Sequence, residues 1–263
     1  MRAKLRKTTS PLPALLFAGA ALLVLEVALR FFSVPAWIFP APSAVARAIL
    51  DTWRLLLDHT GATLKAAAIG MVASAAAGLA LGYLVFSCGF LRKVLYPALV
   101  ASQSLPTIVV APLLILWFGF GALPKVLLVV LACFFPICVG VVDGLSSVDQ
   151  ELVELANGMG AKPARLFRLI RWPAALPHIF TGIKVSATYA VIATVVSEWM
   201  GSQKGLGVYL TRSSHSFMTD RVFAALVIIS ALSMGLFQLV NVVSRKLSPW
   251  YYRKESDTWE VDE

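Results

Sequence analysis

Apolar residues run along the chain in long blocks rather than in stripes. Blocks at 12–32, 62–87, 94–118, 123–142, 179–200 and 222–243 are each long enough for a helix to cross the hydrocarbon core of a bilayer, which needs about 20 residues. The stretches between them are polar or rich in turn residues. The pattern predicts an all-α, polytopic membrane protein with about six transmembrane helices and both termini on one side.

The blocks are not alike. The second is full of small residues, including Gly70, Ser74, Gly78 and Gly82, a face that invites close approach by another helix bundle. The third holds Pro97, Pro106 and Pro112, with Gln103 and Ser104 among them. Backbone groups freed by proline are tolerated at membrane depth where protein buries them or where they line a cavity. Gln103, Ser104 and Thr107 are therefore candidates for a translocation pathway. Gly119-Phe120-Gly121 turns the chain into the fourth block, which Pro136 interrupts. In the loop 33–60, Ser43 has the chemistry of an N-cap, and Val45, Ala48, Ile49, Trp53 and Leu56 follow at helical spacing. That segment reads as an amphipathic helix at the membrane interface or as a short helix packed on the spans. Val34-Pro35-Ala36 weakly resembles a signal-peptide cleavage site, but the first block is long for a signal peptide and Arg30 interrupts its end. It reads as a retained anchor.

Composition supports one membrane domain. Of 263 residues, 59% are hydrophobic and only 14% charged, and the mean hydropathy is +0.79; a soluble domain has about a quarter of its residues charged. The net charge of +9 marks membrane orientation rather than nucleic-acid binding. With 1–10, 88–96, 144–184 and 245–263 on one side, that side holds 15 Lys and Arg against 6 in the opposite loops, which places it in the cytoplasm. Residues 1–11 are then a cytoplasmic N-terminus, 12–246 the transmembrane domain with an inner segment at 145–173, and 247–263 a cytoplasmic tail that frays. Cys88, Cys133 and Cys138 have no metal or disulfide spacing and read as packing residues.

The inner segment, from Glu151 to Pro173, is the most polar and basic interior stretch. Asp149, Glu151 and Glu154 suit a helix start, where the dipole favours anions. Gly158 and Gly160 let the chain leave that helix with an unusual backbone angle, and Pro163 suits the first turn of a second. Leu166, Phe167, Leu169 and Ile170 give the second helix an apolar side, and Arg165, Arg168 and Arg171 a basic one. Two short helices joined by a glycine turn form a docking surface for a soluble partner.

Glu154-Leu155-Ala156, then Gly160, then Ile170-x-Trp172-Pro173 resembles the EAA loop of ABC-transporter permeases, whose pattern is EAA, three residues, Gly, nine residues, Ile, one residue, Leu-Pro. The spacing matches throughout, with Leu155 for the first Ala and Trp172 for Leu. IFPAPSAV near residue 38, SLPTIVVAPLLILWFGFG near residue 104, FFPI at 134–137 and SEWMGSQKGLG at 197–207 extend the resemblance to most of residues 35–245. It points to the binding-protein-dependent importer branch that includes sulfonate, taurine, nitrate and pyrimidine-precursor permeases. The stretches 118–125 and 134–144 look closer to the pyrimidine-precursor members. The resemblance implies the type I importer permease fold and a place in a bacterial inner (plasma) membrane. It also implies two permease copies, a cytoplasmic ATPase dimer and an extracytoplasmic solute-binding protein. Glu154, Leu155, Ala156, Gly160, Ile170 and Pro173 would couple to the ATPase. The chain has no Gly-rich phosphate loop, so hydrolysis belongs to the partner; no cofactor or metal is expected.

Ionisable groups at membrane depth are functional candidates by default. Glu26 and Arg30, four apart, form a structural pair, and Asp143 and Lys184 snorkel from the cytoplasmic ends. Glu198, before a glycine-rich return, shapes an outer gate or caps a helix. Gln238 and Asn241 can bond between helices. His59, His178 and His215 show no ligand pattern. A rival reading, an ATP-independent channel or secondary transporter, would need coupling-ion ligands and broken helices in matching halves; only one half has a broken span. A membrane-bound enzyme would need clustered His or acidic residues, and none cluster.

Overall fold

The computed structural model describes residues 12–102 and 106–252. Eleven α-helices follow one another among the described residues: α1 (Leu12–Phe31), α2 (Pro42–Asp51), α3 (Trp53–Ser87), α4 (Gly89–Ser102), α5 (Thr107–Phe118), α6 (Ala122–Ser146), α7 (Gln150–Gly158), α8 (Pro163–Leu166), α9 (Trp172–Trp199), α10 (Leu206–His215) and α11 (Thr219–Leu247). One π-helical turn, Phe167–Arg171, fuses α8 to α9. Among the described residues, four helices are long and apolar enough to cross a membrane: α3, α6, α11 and the continuous rod Pro163–Trp199. The first expected span lies in α1. The third is covered by α4 and α5; Pro106 is the N-cap of α5, whereas Pro97 and Pro112, expected to interrupt the span, lie inside helices.

The rod is the centre. Of its most apolar window, 61% is buried inside the molecule, against 11% for α11. α6 packs along it on one side and α3 packs on α6. The helices approach so closely because glycine faces backbone: a Cβ at Gly182 would sit 2.3 Å from the Pro136 carbonyl oxygen, and one at Gly78 2.8 Å from that of Phe134. Ser186 Oγ donates to the Cys133 carbonyl (2.7 Å) and Cys133 Sγ to the Ser186 carbonyl (3.3 Å), fixing the α6–α9 register. Gly70, Ser74, Gly78 and Gly82, each four residues after the last on one face of α3, meet α6 of the same chain. The expectation that this small-residue face receives another bundle is therefore corrected: α6 already fills it.

Two further expectations change. Segment 42–51 packs Val45 and Ala48 against Ala224 of α11, so α2 is a short helix on the bundle. Ser43 is not its N-cap, which is Ala41. Instead Glu26 of α1 accepts the Ser43 amide (2.9 Å) and hydroxyl (2.7 Å) as well as Arg30 Nε (2.7 Å), so the Glu26–Arg30 pair also ties two helices together. Nor does the start of the tail fray. Tyr252 lies between Lys184 Nζ and Ser244 Oγ, 2.8 Å from each, which gives Lys184 a partner rather than a free path to solvent.

Candidate functional site

Two polar constructions stand at opposite ends of α3. One surrounds α7, against the α3 C-terminus; the other surrounds α10, against its N-terminus.

At the α7 end, Asp149 caps the helix by accepting the Glu151 amide at 3.0 Å. The helix closes with a Schellman pair: Ala161 N–H bonds to the Ala156 carbonyl and Gly160 N–H to that of Asn157. Gly160 has φ +79°, with open space where a Cβ would point. Gly158, by contrast, is ordinary helix, so only one of the two glycines makes the turn. No residue of α7 is buried. Leu152, Leu155 and Met159 share one exposed face, Leu155 at 62% and Met159 at 80% exposure, and Glu154 is exposed beside them. Val153 and Ala156 are half-buried.

The second helix is not the separate short helix expected. Pro163 starts it, and it continues through the π turn into α9. Pro173 lacks an N–H and its ring would strike the carbonyl four residues back; widening the preceding turn, where Trp172 N–H reaches the Phe167 carbonyl, removes the conflict. Ile170 is half-buried in that turn and Pro173 follows it. The proposed apolar side is divided: Leu166 is buried, whereas Leu169 is 65% exposed. Arg171 lies over the Phe86 ring, 5.1 Å from its centroid, while Arg165 and Arg168 remain exposed. Beneath the turn, Tyr83, Phe86, Val153, Asn157, Phe167 and Arg171 border a cavity of about 640 Å³.

At the α10 end, the first three amides of one helix each meet a side chain from a neighbour. Gly205 N–H donates to His59 Nδ1 (3.0 Å), Leu206 N–H to Thr63 Oγ1 (2.8 Å) and Gly207 N–H to Glu198 Oε2 (2.9 Å). Thr63 Oγ1 lies 3.0 Å from both Glu198 oxygens and donates to that carboxylate. Glu198 is 1% exposed. Gly205 must be glycine: a Cβ there would lie 2.0 Å from the Glu198 carboxyl carbon. Glu198 does cap a helix, but it is α10, not the one it ends. His59, set aside on sequence, belongs to this latch. The only trace in the sequence is His59 and Thr63 four apart on one helix face. Nearby, Lys204 pairs with Asp58 at 2.9 Å and Lys125 donates to Ser202.

Thr107 is half-buried at the start of α5 and makes no bond to Glu198; Gln103 and Ser104 lie outside the described residues. Among the described residues Gln238 and Asn241 bond no neighbouring helix: Asn241 Nδ2 is 3.5 Å from Gln238 Oε1 on α11 itself. Among the described residues no group of His, Cys, Asp or Glu could hold a metal.

Comparison with known proteins gives one answer at every level. The family model described as "Binding-protein-dependent transport system inner membrane component" matches residues 70–249. A probable ABC transporter permease protein of Haemophilus influenzae is 35% identical over 86% of this chain and 92% of its own. The formylaminopyrimidine transport permease protein ThiX of Halalkalibacterium halodurans is 34% identical over 94% and 98%. A chain of the MetNI methionine ABC transporter in an inward-facing conformation superposes with a TM-score of 0.65, covering 75% of this chain and 98% of that one at 18% identity, and so shares the fold. The chain belongs to the binding-protein-dependent inner-membrane components, the non-catalytic permease subunits of small-solute ABC importers, which work with an ATPase and a binding protein.

Proposed function

We propose that the α7 end faces the cytoplasm and seats the ATPase, and that two copies of this chain enclose the translocation pathway. The observation that carries this reading is α7 itself. A helix with no buried residue, showing Leu152, Leu155 and Met159 on one face, leaves apolar surface in water unless a partner covers it. Leu155 supplies contact area and Glu154 a charge at its edge. Ala156 keeps the helix slim at the flank of that face, and Gly160 sets the angle between α7 and the rod. Ile170 and Pro173 fix the widened turn where the rod begins. Gln103, Ser104 and Thr107 line the pathway. Glu198 acts at the outer end by holding α10, which lies where a solute-binding protein would deliver. Lipid surrounds the assembly. The candidate solutes are pyrimidine or thiamine precursors, ThiX being named for formylaminopyrimidine transport, and sulfonates, taurine or nitrate.

The experiment is Gly160→Val, with the chain reconstituted in vesicles beside its ATPase and binding protein. A β-branched residue at φ +79° is strained by about 1–3 kcal/mol, and relief swings α7 away from the partner. Uptake should fall while ATP hydrolysis persists, with normal insertion and co-purification. Glu154→Lys should act in the same direction, less strongly. Normal uptake and normal stimulated hydrolysis in Gly160→Val would reduce the turn to a linker.

A further inference from the structure

The three amides that open α10 take three different acceptors: an imidazole, a hydroxyl and a carboxylate. Of these, imidazole alone ordinarily titrates near neutral pH. An amide nitrogen only donates. The Gly205 N–H, 3.0 Å from His59 Nδ1, therefore requires a lone pair there and puts the ring proton on Nε2. The bond exists only with the neutral imidazole. Protonation sets a second N–H against the first and leaves the Gly205 amide without its acceptor, which is costly in a buried site. His59 is 5% exposed, yet water comes within one residue of it: Asp58 and Lys204, paired at 2.9 Å, are 54% and 64% exposed. Around the ring stand Asp58 of its own helix, Lys204 of the return before α10, and Arg212 and Tyr209 of α10, the Tyr209 ring centroid 5.8 Å away. Beyond Thr63 lies Glu198 of α9, already bonded to Thr63 and to the Gly207 N–H. Asp58 draws an imidazolium toward α3 and Arg212 repels it from α10, so a charged ring pulls away from the helix it holds.

We propose that His59 is a positioning residue for import: as the neutral imidazole it fixes the start of α10, and its protonation from the outer compartment frees that start and slows uptake. The inference rests on the importer reading above, in which the α10 end faces outward. The bond is intact while the outer pH stays above the imidazole range and is lost as pH falls through it.

The test uses the chain assembled with its ATPase in lipid nanodiscs. It reads deuterium exchange of the 203–210 backbone, corrected for the intrinsic pH dependence of exchange, at about pH 7.5 and about pH 5.5, on either side of the ~6.5 of free imidazole. Wild-type protection should fall about threefold to tenfold on acidification, the worth of one hydrogen bond. His59→Asn puts an amide oxygen near the position of Nδ1 and takes up no proton, so its protection should stay the same at both pH values. His59→Gln, with the oxygen one bond further out, replaces it if the first variant does not insert. In vesicles with binding protein and formylaminopyrimidine or taurine outside, acidifying the outer solution should slow wild-type uptake about threefold or more relative to His59→Asn; the ratio cancels any pH response of the binding protein. Wild-type protection that is equal at both pH values overturns the proposal. So does a fall of the same size in His59→Asn, which would assign the response to Glu198. A fall in protection with no difference in uptake between the two chains overturns the positioning role. An assembly that imports neither solute at the higher pH defeats the importer reading instead, and the exchange result still decides whether His59 holds α10.

Discussion

Glu198 has no Lys or Arg in hydrogen-bonding reach among the described residues; its partners are a hydroxyl and a backbone amide. Its carboxylate does the work of an N-cap from outside the helix, where the amides and the dipole favour an anion. Glu198→Ala removes that acceptor and leaves the Gly207 N–H buried without a partner, at a cost of about 1–3 kcal/mol. Glu198→Gln keeps a carbonyl oxygen in the same place and should lose less. Thermal unfolding in detergent, with limited proteolysis across 201–215, reads both; equal midpoints for the two variants would mean that α10 is held by packing alone. The residue was legible in the sequence as a buried acid near a helix end. The latch it belongs to was not, because Thr63 is 135 residues from Glu198 and His59 is 146 from Gly205. Pairing over such distances is decided by which helices pack, which no local pattern records.

Among the elements, the runs of apolar residues located most helices, and Gly160 announced its turn through residue type and spacing. The rod was misjudged because the inner segment, ending at Pro173, read as a short helix separate from the span that begins at 179. The backbone instead absorbs Pro173 by opening one turn, and packing holds the helix together through Pro177, which is buried. The small-residue face of α3 was recognised but given to the wrong partner, since composition says that a helix comes close and not which one. The tightest of these contacts makes a direct prediction. Gly182→Ala forces the rod off α6, because its Cβ would lie 2.3 Å from a backbone oxygen that no rotamer change can move. Overpacking of this kind costs about 1–3 kcal/mol, visible as a lower unfolding midpoint and a broader elution profile in detergent. Gly61→Ala, where a Cβ meets nothing within 4 Å, should leave both unchanged.

For the molecule as a whole, orientation is the property most open to test. The excess of basic residues on the α7 side, 15 against 6, sets the expectation that Lys162→Cys, in a background free of the native cysteines, escapes an impermeant thiol reagent in intact cells and reacts after permeabilisation. Strong labelling from outside would invert the topology and remove α7 from any cytoplasmic ATPase.

The uninterrupted rod from Pro163 to Trp199 adds a mechanical consequence. It is held most tightly where Gly182 meets the Pro136 carbonyl, which leaves roughly 28 Å of helix toward Pro163 and roughly 24 Å toward Glu198 at 1.5 Å per residue. A beam pivoted near its middle converts a push at one end into a counter-movement of similar size at the other. A displacement of a few ångströms imposed where α7 joins the rod would therefore arrive, reversed in direction, at the carboxylate that grips α10.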